Sequence, residues 1–187
     1  MRITKIICYL LFLVCMTGCN SYHPADKEVE EFPVIFPDYA AVTFPSNIAP
    51  PNFVIQEEGE GFQTEMGIVG ENTMFTIHSD EPLVTISPKD WTALLEKAVG
   101  KEIFFRITVL QEQQWVRYAD IQNQISRYPI DGYLAYRLLY PGHELWNAMG
   151  IYQRELSSYK ETPIVENRNF GKQCVNCHTF NAQSPED

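Results

Sequence analysis

The clearest pattern in the chain is strict alternation. From Glu102 to Leu110, the residues Ile103, Phe105, Ile107 and Val109 fall on one side and Phe104, Arg106, Thr108 and Leu110 on the other. A period of two predicts a strand. A second alternating run spans Ile130–Tyr140, with Tyr133, Ala135, Arg137 and Leu139 set against Leu134, Tyr136 and Leu138. Shorter strand-like segments cover Asn52–Gln56, Phe62–Val69, Met74–His78 and Leu83–Ser87, and Trp115–Tyr118 reads as a hairpin partner. Gly70-Glu71-Asn72 is a hairpin connection between two of them. Pro33, Pro37, Pro45, Pro50 and Pro51 favour extended chain and edge segments over helix.

One stretch follows the helical period. Trp91, Leu94, Leu95 and Ala98 make a single apolar stripe, with Ser87 as N-cap, Pro88 at the first helical position, Asp90 in the first turn and Gly100 as the C-terminal stop. Ala119–Ser126 has weak helical character. Glu144–Glu155 is ambiguous between helix and loop-plus-strand, since Gly150 disfavours a helix. Together these elements predict a mainly β, β-sandwich-like domain with one or two short helices. An α+β arrangement is the alternative.

Composition changes this picture little. The 187 residues are 45% hydrophobic and 13% aromatic, enough for a real core. A net charge of −10 argues against a nucleic-acid partner and reads mostly as a solvated surface. Asp90, Asp120, Asp131 and Glu144 are catalytic candidates only by residue type. No Ser/His/Asp order, phosphate loop or metalloprotease His pair accompanies them. A carrier or binding protein is therefore expected rather than an enzyme.

The N-terminus adds an address. Arg2 and Lys5 precede an apolar run, Ile6–Met16, which has the length of a signal h-region and is short for a membrane span. Met16-Thr17-Gly18-Cys19 follows and resembles the lipobox of bacterial lipoproteins, with Met where Leu is usual. That resemblance implies cleavage after residue 18 and lipidation of Cys19. The expected organisation is a signal peptide over 1–18, an acidic flexible tether over 19–32, a β-rich domain over 33–165 and a C-terminal segment over 166–187. The partner implied is a membrane, reached through the lipid anchor, in a bacterial cell envelope (the outer membrane or a periplasm-facing surface).

The C-terminal segment carries the sharpest chemistry. Cys174-Val175-Asn176-Cys177-His178 has the Cys-x-x-Cys-His spacing of a c-type haem attachment site. Two thiols add to the two vinyl groups of a haem, and the adjacent imidazole ligates the iron. Positions i, i+3 and i+4 share one face of a helical turn, so Cys174, Cys177 and His178 can reach one macrocycle. A redox-active disulfide, a plain structural disulfide and a zinc site are the alternatives. Haem c is the expected cofactor, with His178 as the proximal ligand. The second axial ligand would come from His143 in a turn; His23, His78, Met66, Met74 and Met149 are weaker choices.

Three runs carry a family resemblance: Pro129-Ile130-Asp131-Gly132-Tyr133-Leu134-Ala135-Tyr136-Arg137-Leu138, then Ile151-Tyr152-Gln153-Arg154, then Cys174-Val175-Asn176-Cys177-His178-Thr179-Phe180. Over roughly residues 37–185 the chain resembles bacterial lipoproteins with a β-sandwich-like domain, a single Cys-x-x-Cys-His and a C-terminal TolB-like β-propeller. The sequence stops nine residues after His178, where such proteins continue into the propeller, as a natural short form or a truncated chain. The resemblance implies architecture and haem rather than a substrate. The expected function is an exported, lipid-anchored monohaem protein for electron transfer or redox sensing with a redox protein partner. The alternative is a non-redox envelope lipoprotein whose β-domain binds a partner or glycan, with Cys174–Cys177 as a disulfide.

Overall fold

The computed structural model describes residues 22–141, 145–170 and 175. Cys19, His143, Cys174, Cys177 and His178 lie outside the described residues, as does the signal segment. In chain order the strands are β1 (Lys27–Glu28), β2 (Ile35–Phe36), β3 (Thr43–Phe44), β4 (Phe53–Ile55), β5 (Gly61–Ile68), β6 (Thr73–Ser79) and β7 (Leu83–Val84). Helix α1 (Pro88–Ala98) follows, then β8 (Glu102–Gln111), β9 (Gln114–Arg117), β10 (Ile121–Ile125) and β11 (Tyr133–Leu138). A 3-10 turn (Trp146–Ala148) leads to β12 (Gly150–Glu155) and β13 (Glu161–Glu166), and a second 3-10 turn (Asn167–Phe170) closes the series. The fold is mainly β, with three sheets and one α-helix among the described residues.

The alternating run around Phe105 is the centre of a seven-stranded sheet. One edge of β8 pairs with β5 along its length, from Ile103–Ile68 to Leu110–Gly61. The other edge is shared end to end, with β10 beside Phe105 and β9 beyond Thr108. Ile103, Phe105, Ile107 and Val109 point into the core with Phe62, Met66, Ile68, Ile121 and Ile125. Helix α1 and the small sheet β2-β4-β7 share this core through Trp91, Leu94, Leu95, Ile35, Phe53, Ile55 and Val84. The helix starts as expected at Pro88, but Ser87 caps it only through its carbonyl, which accepts the Trp91 N–H at 3.0 Å. Gly100 follows its end at φ +72°, a conformation that costs other residues a steric clash.

Two expectations are corrected. Ala119–Ser126, read as weakly helical, contains β10: Ile121, Asn123 and Ile125 are buried and alternate with exposed Gln122 and Gln124. The period was hidden because a core position is polar. Asn123 is buried with its Oδ1 accepting the Val42 N–H at 3.0 Å, while its Nδ2 is buried without a hydrogen-bond partner. The acidic stretch expected as a flexible tether is instead strapped to the large sheet from His23 to Glu31. β1 pairs in parallel with β9, and Asp26 and Trp115 exchange hydrogen bonds of 2.8 Å. Glu28 meets Arg117 at 2.7 Å.

At its start the strap crosses the outer face of the large sheet. Buried Gln63 holds both backbone groups of His23, and the His23 ring stacks on Trp115 at 4.5 Å and meets His78 edge-on at 6.1 Å. Burial, and then the neighbouring His23, push the His78 imidazole below its ordinary pKa, while Glu65 opposes them. The folded state therefore binds a proton at His78 less readily than the unfolded chain. Its contribution is complete above the unfolded value of about 6.5 and is lost as pH falls through the lower folded value. The urea midpoint is expected to drop between pH 7.5 and pH 5, and His78→Gln to flatten that decline. An unchanged pH dependence in the variant would contradict this account.

The third sheet is β11-β12-β13, and its last strand leads into the second 3-10 turn. The stretch Glu144–Glu155 resolves, over its described part, as a turn plus strand. Gly150 is required by close approach: a Cβ there would lie 2.1 Å from the Val165 carbonyl oxygen. The sheet is tied to the main body by the Ala49 N–H to Leu156 O bond at 2.8 Å and by a reciprocal pair between the Asn47 side chain and the Ile130 backbone.

Candidate functional site: the polar network around Asn167

Strand β13 ends at Glu166, and the chain turns at Asn167. Asn167 is only 2% exposed, and its backbone N–H and both polar atoms of its side chain are hydrogen-bonded. Its backbone N–H donates to Met149 O at 2.8 Å, and its Nδ2 donates to Trp146 O at 3.0 Å. Its Oδ1 accepts the backbone N–H of Val175 at 2.8 Å. One side chain thus fastens the 3-10 turn that precedes β12 to the second residue of the Cys-x-x-Cys-His segment.

The residues around Asn167 form a polar network of their own. Glu166, 6% exposed, offers Oε1 to the Tyr152 hydroxyl at 2.9 Å and Oε2 to Arg168 Nε at 2.7 Å. The Tyr152 hydroxyl also lies 2.7 Å from Ala148 O, so its single proton has two acceptors. The Arg168 guanidinium holds the Glu166 carboxyl below the usual carboxylate range, helped by the Tyr152 hydroxyl and opposed by burial. Burial, and then Glu166, push the Tyr152 phenol up. An ionised carboxylate facing a neutral phenol and a guanidinium is a stable, fully partnered arrangement. It makes this end of the sheet a firm base and leaves no acid–base pair poised for proton transfer.

The residues foreseen from sequence fall in three places. Cys174, Cys177, His178, His143 and Cys19 lie outside the described residues. His23 and His78 are engaged with each other on the outer face of the large sheet. Met66 is fully buried in the core, Met74 packs against it, and the Met149 carbonyl is taken by Asn167. Of the acidic candidates, Asp120 makes a two-pronged pair with Arg106 at 2.8 and 2.9 Å, while Asp90 and Asp131 are exposed. Among the described residues no group of three His, Cys, Asp or Glu side chains could hold a metal ion. A surface cleft of about 570 Å³ lined by Lys27, Glu58, Gly59, Glu60 and Glu112 brings together no catalytic set.

Glu166, Asn167, Arg168 and Tyr152 were not singled out by sequence. Asn167-Arg168-Asn169 reads as a polar loop, and nothing periodic marks it. The available signal was an asparagine directly after an alternating stretch, a residue whose side chain mimics a backbone turn.

The described residues define a mainly β protein with a small accessory sheet, at whose end Asn167 holds the backbone N–H of Val175. Compared with known protein families, characterised proteins and solved structures, the chain matches none.

Proposed function

We propose that this chain is an exported, lipid-anchored c-type monohaem protein that carries electrons or senses redox state at the cell envelope. The observation that carries the reading is the Cys174-x-x-Cys177-His178 spacing in a chain whose residues 1–18 also read as an export signal, followed by Cys19. Attachment of haem to such a motif takes place outside the bacterial inner membrane, so the two signals support each other. The network around Asn167 fits such a group in one respect: Val175, one of the two residues between the cysteines, has its backbone N–H fixed by a buried side chain. Cys174 and Cys177 would hold the macrocycle as thioethers and His178 the iron. A bound haem supplies a one-electron couple. His143, three positions before Trp146 in sequence, is the proposed second ligand. The resemblance to propeller-bearing lipoproteins agrees with this reading and adds no substrate.

The test is expression of the full chain with a haem-maturation system. The expected product gains the mass of one haem, which survives acid–acetone extraction, and shows a reduced-minus-oxidised α band. A colourless product lighter by two hydrogens would replace the reading with a Cys174–Cys177 disulfide.

A further inference from the structure

We infer that Asn167 is a positioning residue for the Cys-x-x-Cys-His segment, acting by holding the backbone N–H of Val175 at the end of the accessory sheet. This role deepens the proposed function and rests on it only for the haem. A side chain 2% exposed must have its carbonyl and amide groups partnered, or the fold loses the cost of desolvating them. Asn167 satisfies both ends by joining two segments that share no strand pairing. Nδ2 takes Trp146 O at 3.0 Å, and Oδ1 takes the Val175 N–H at 2.8 Å. Its own N–H, held by Met149 O at 2.8 Å, fixes the backbone from which the side chain reaches. The residue is therefore held at three points, two by its side chain and one by its backbone, and Val175 is bound from eight residues away.

Chemistry singles out asparagine for this place. The connector needs an acceptor toward an amide N–H and a donor toward a carbonyl, both at the end of a short side chain. Aspartate keeps the acceptor and sets a carboxylate against the Trp146 carbonyl. Leucine fills the volume and loses both bonds. Val175 lies one residue from Cys174 and two from Cys177 in sequence, so its amide is the nearest described point to both cysteines. A segment with two reactive thiols gains from such an anchor because ordering is supplied by the fold rather than at the moment of attachment.

The experiment has two arms. In the full chain without haem, amide exchange at Val175 is measured by NMR, with the β5 and β8 amides as a control on the fold. The wild-type amide is expected to exchange at least about tenfold more slowly than an unstructured valine, and Asn167→Ala to remove that protection. In the matured chain, Asn167→Ala and Val175→Pro are compared. Val175→Pro removes the donor while leaving Asn167 its bonds to Trp146 and Met149. Both variants are expected to lower the fraction of chains carrying haem and to shift its midpoint potential in the same direction. An unprotected Val175 amide in the wild type overturns the role, as does wild-type haem yield and potential in both variants. If the wild type takes up no haem, the proposed function fails, and the exchange arm alone decides the role of Asn167. If Asn167→Ala loses the β5 and β8 protection, Val175→Pro and the wild-type exchange rate decide it.

Discussion

Trp91→Ala is expected to cost about 3–5 kcal/mol, a large share of the roughly 5–15 kcal/mol that holds a domain of this kind together. Trp91 is 1% exposed and sits where three parts of the core converge. Its ring meets Phe44 of β3 edge-on at 5.7 Å, and Phe44 in turn lies against Phe105 of the central strand. Its indole N–H donates to Ile48 O at 2.9 Å, pinning the proline-rich segment that leads into β4. Truncation removes the largest side chain of the helix stripe, leaves a void between α1 and the sheet, and strips that carbonyl of its donor. Trp91→Phe separates the two contributions. It keeps most of the ring and loses the N–H, so its cost should be smaller by the cavity share, with about 1 kcal/mol assignable to the hydrogen bond. Urea unfolding followed by far-UV circular dichroism gives both values. Equal losses for the two variants would show that the void matters less than the hydrogen bond.

Gly150→Ala is expected to have the next largest effect, about 2–3 kcal/mol, confined to the accessory sheet. The added Cβ would lie 2.1 Å from Val165 O and 2.7 Å from Glu166 Cα. Both are backbone atoms, so no side-chain rotation relieves the contact, and β12 must move away from β13. Residues 150 and 166 are paired in the register, and Asn167 follows at once. Separation of these strands therefore displaces the Tyr152–Glu166–Arg168 network and the connector together. Residue-level hydrogen exchange should show faster amides in Gly150–Glu155 and Glu161–Glu166, with β5 and β8 unchanged. Protection at wild-type level in the accessory sheet would mean that the two strands can separate without cost.

The sequence was informative wherever one face of an element was uniformly apolar. Strands β5, β6 and β8 and helix α1 were readable to within about a residue or two, since Ile103, Phe105, Ile107 and Val109, or Trp91, Leu94, Leu95 and Ala98, leave one period standing. Reading failed where a polar side chain does a core residue's work. Asn123 broke the alternation of β10, and Asn167 disguised a structural anchor as a loop. Failure also came where geometry outranks propensity. Gly150 weakened the assignment of its own strand because its value lies in a backbone approach that composition does not reveal. β1 is legible only once its partner is known. Two charged residues, Lys27 and Glu28, become a strand because β9 offers an unpaired edge. For the candidate site, the spacing of Cys174, Cys177 and His178 was plain in one dimension, whereas the Glu166–Arg168 network exists only through contacts over 14 and 21 residues.

The strapped N-terminus sets a leash length. Cys19 precedes His23, the first strap residue held to the large sheet, by only four positions. A fully extended chain gains about 3.6 Å per residue, so with Cys19 lipidated, as proposed, the sheet would hang no more than about 14 Å from the lipid headgroups. A free tether from 19 to 32 would have allowed roughly three times that span. If Cys19 is lipidated as proposed, so short a leash would confine the domain to a thin shell beside its bilayer and favour partners embedded in, or docked on, the same membrane surface. Lengthening the stretch before His23, without touching the domain, would be the way to widen that search.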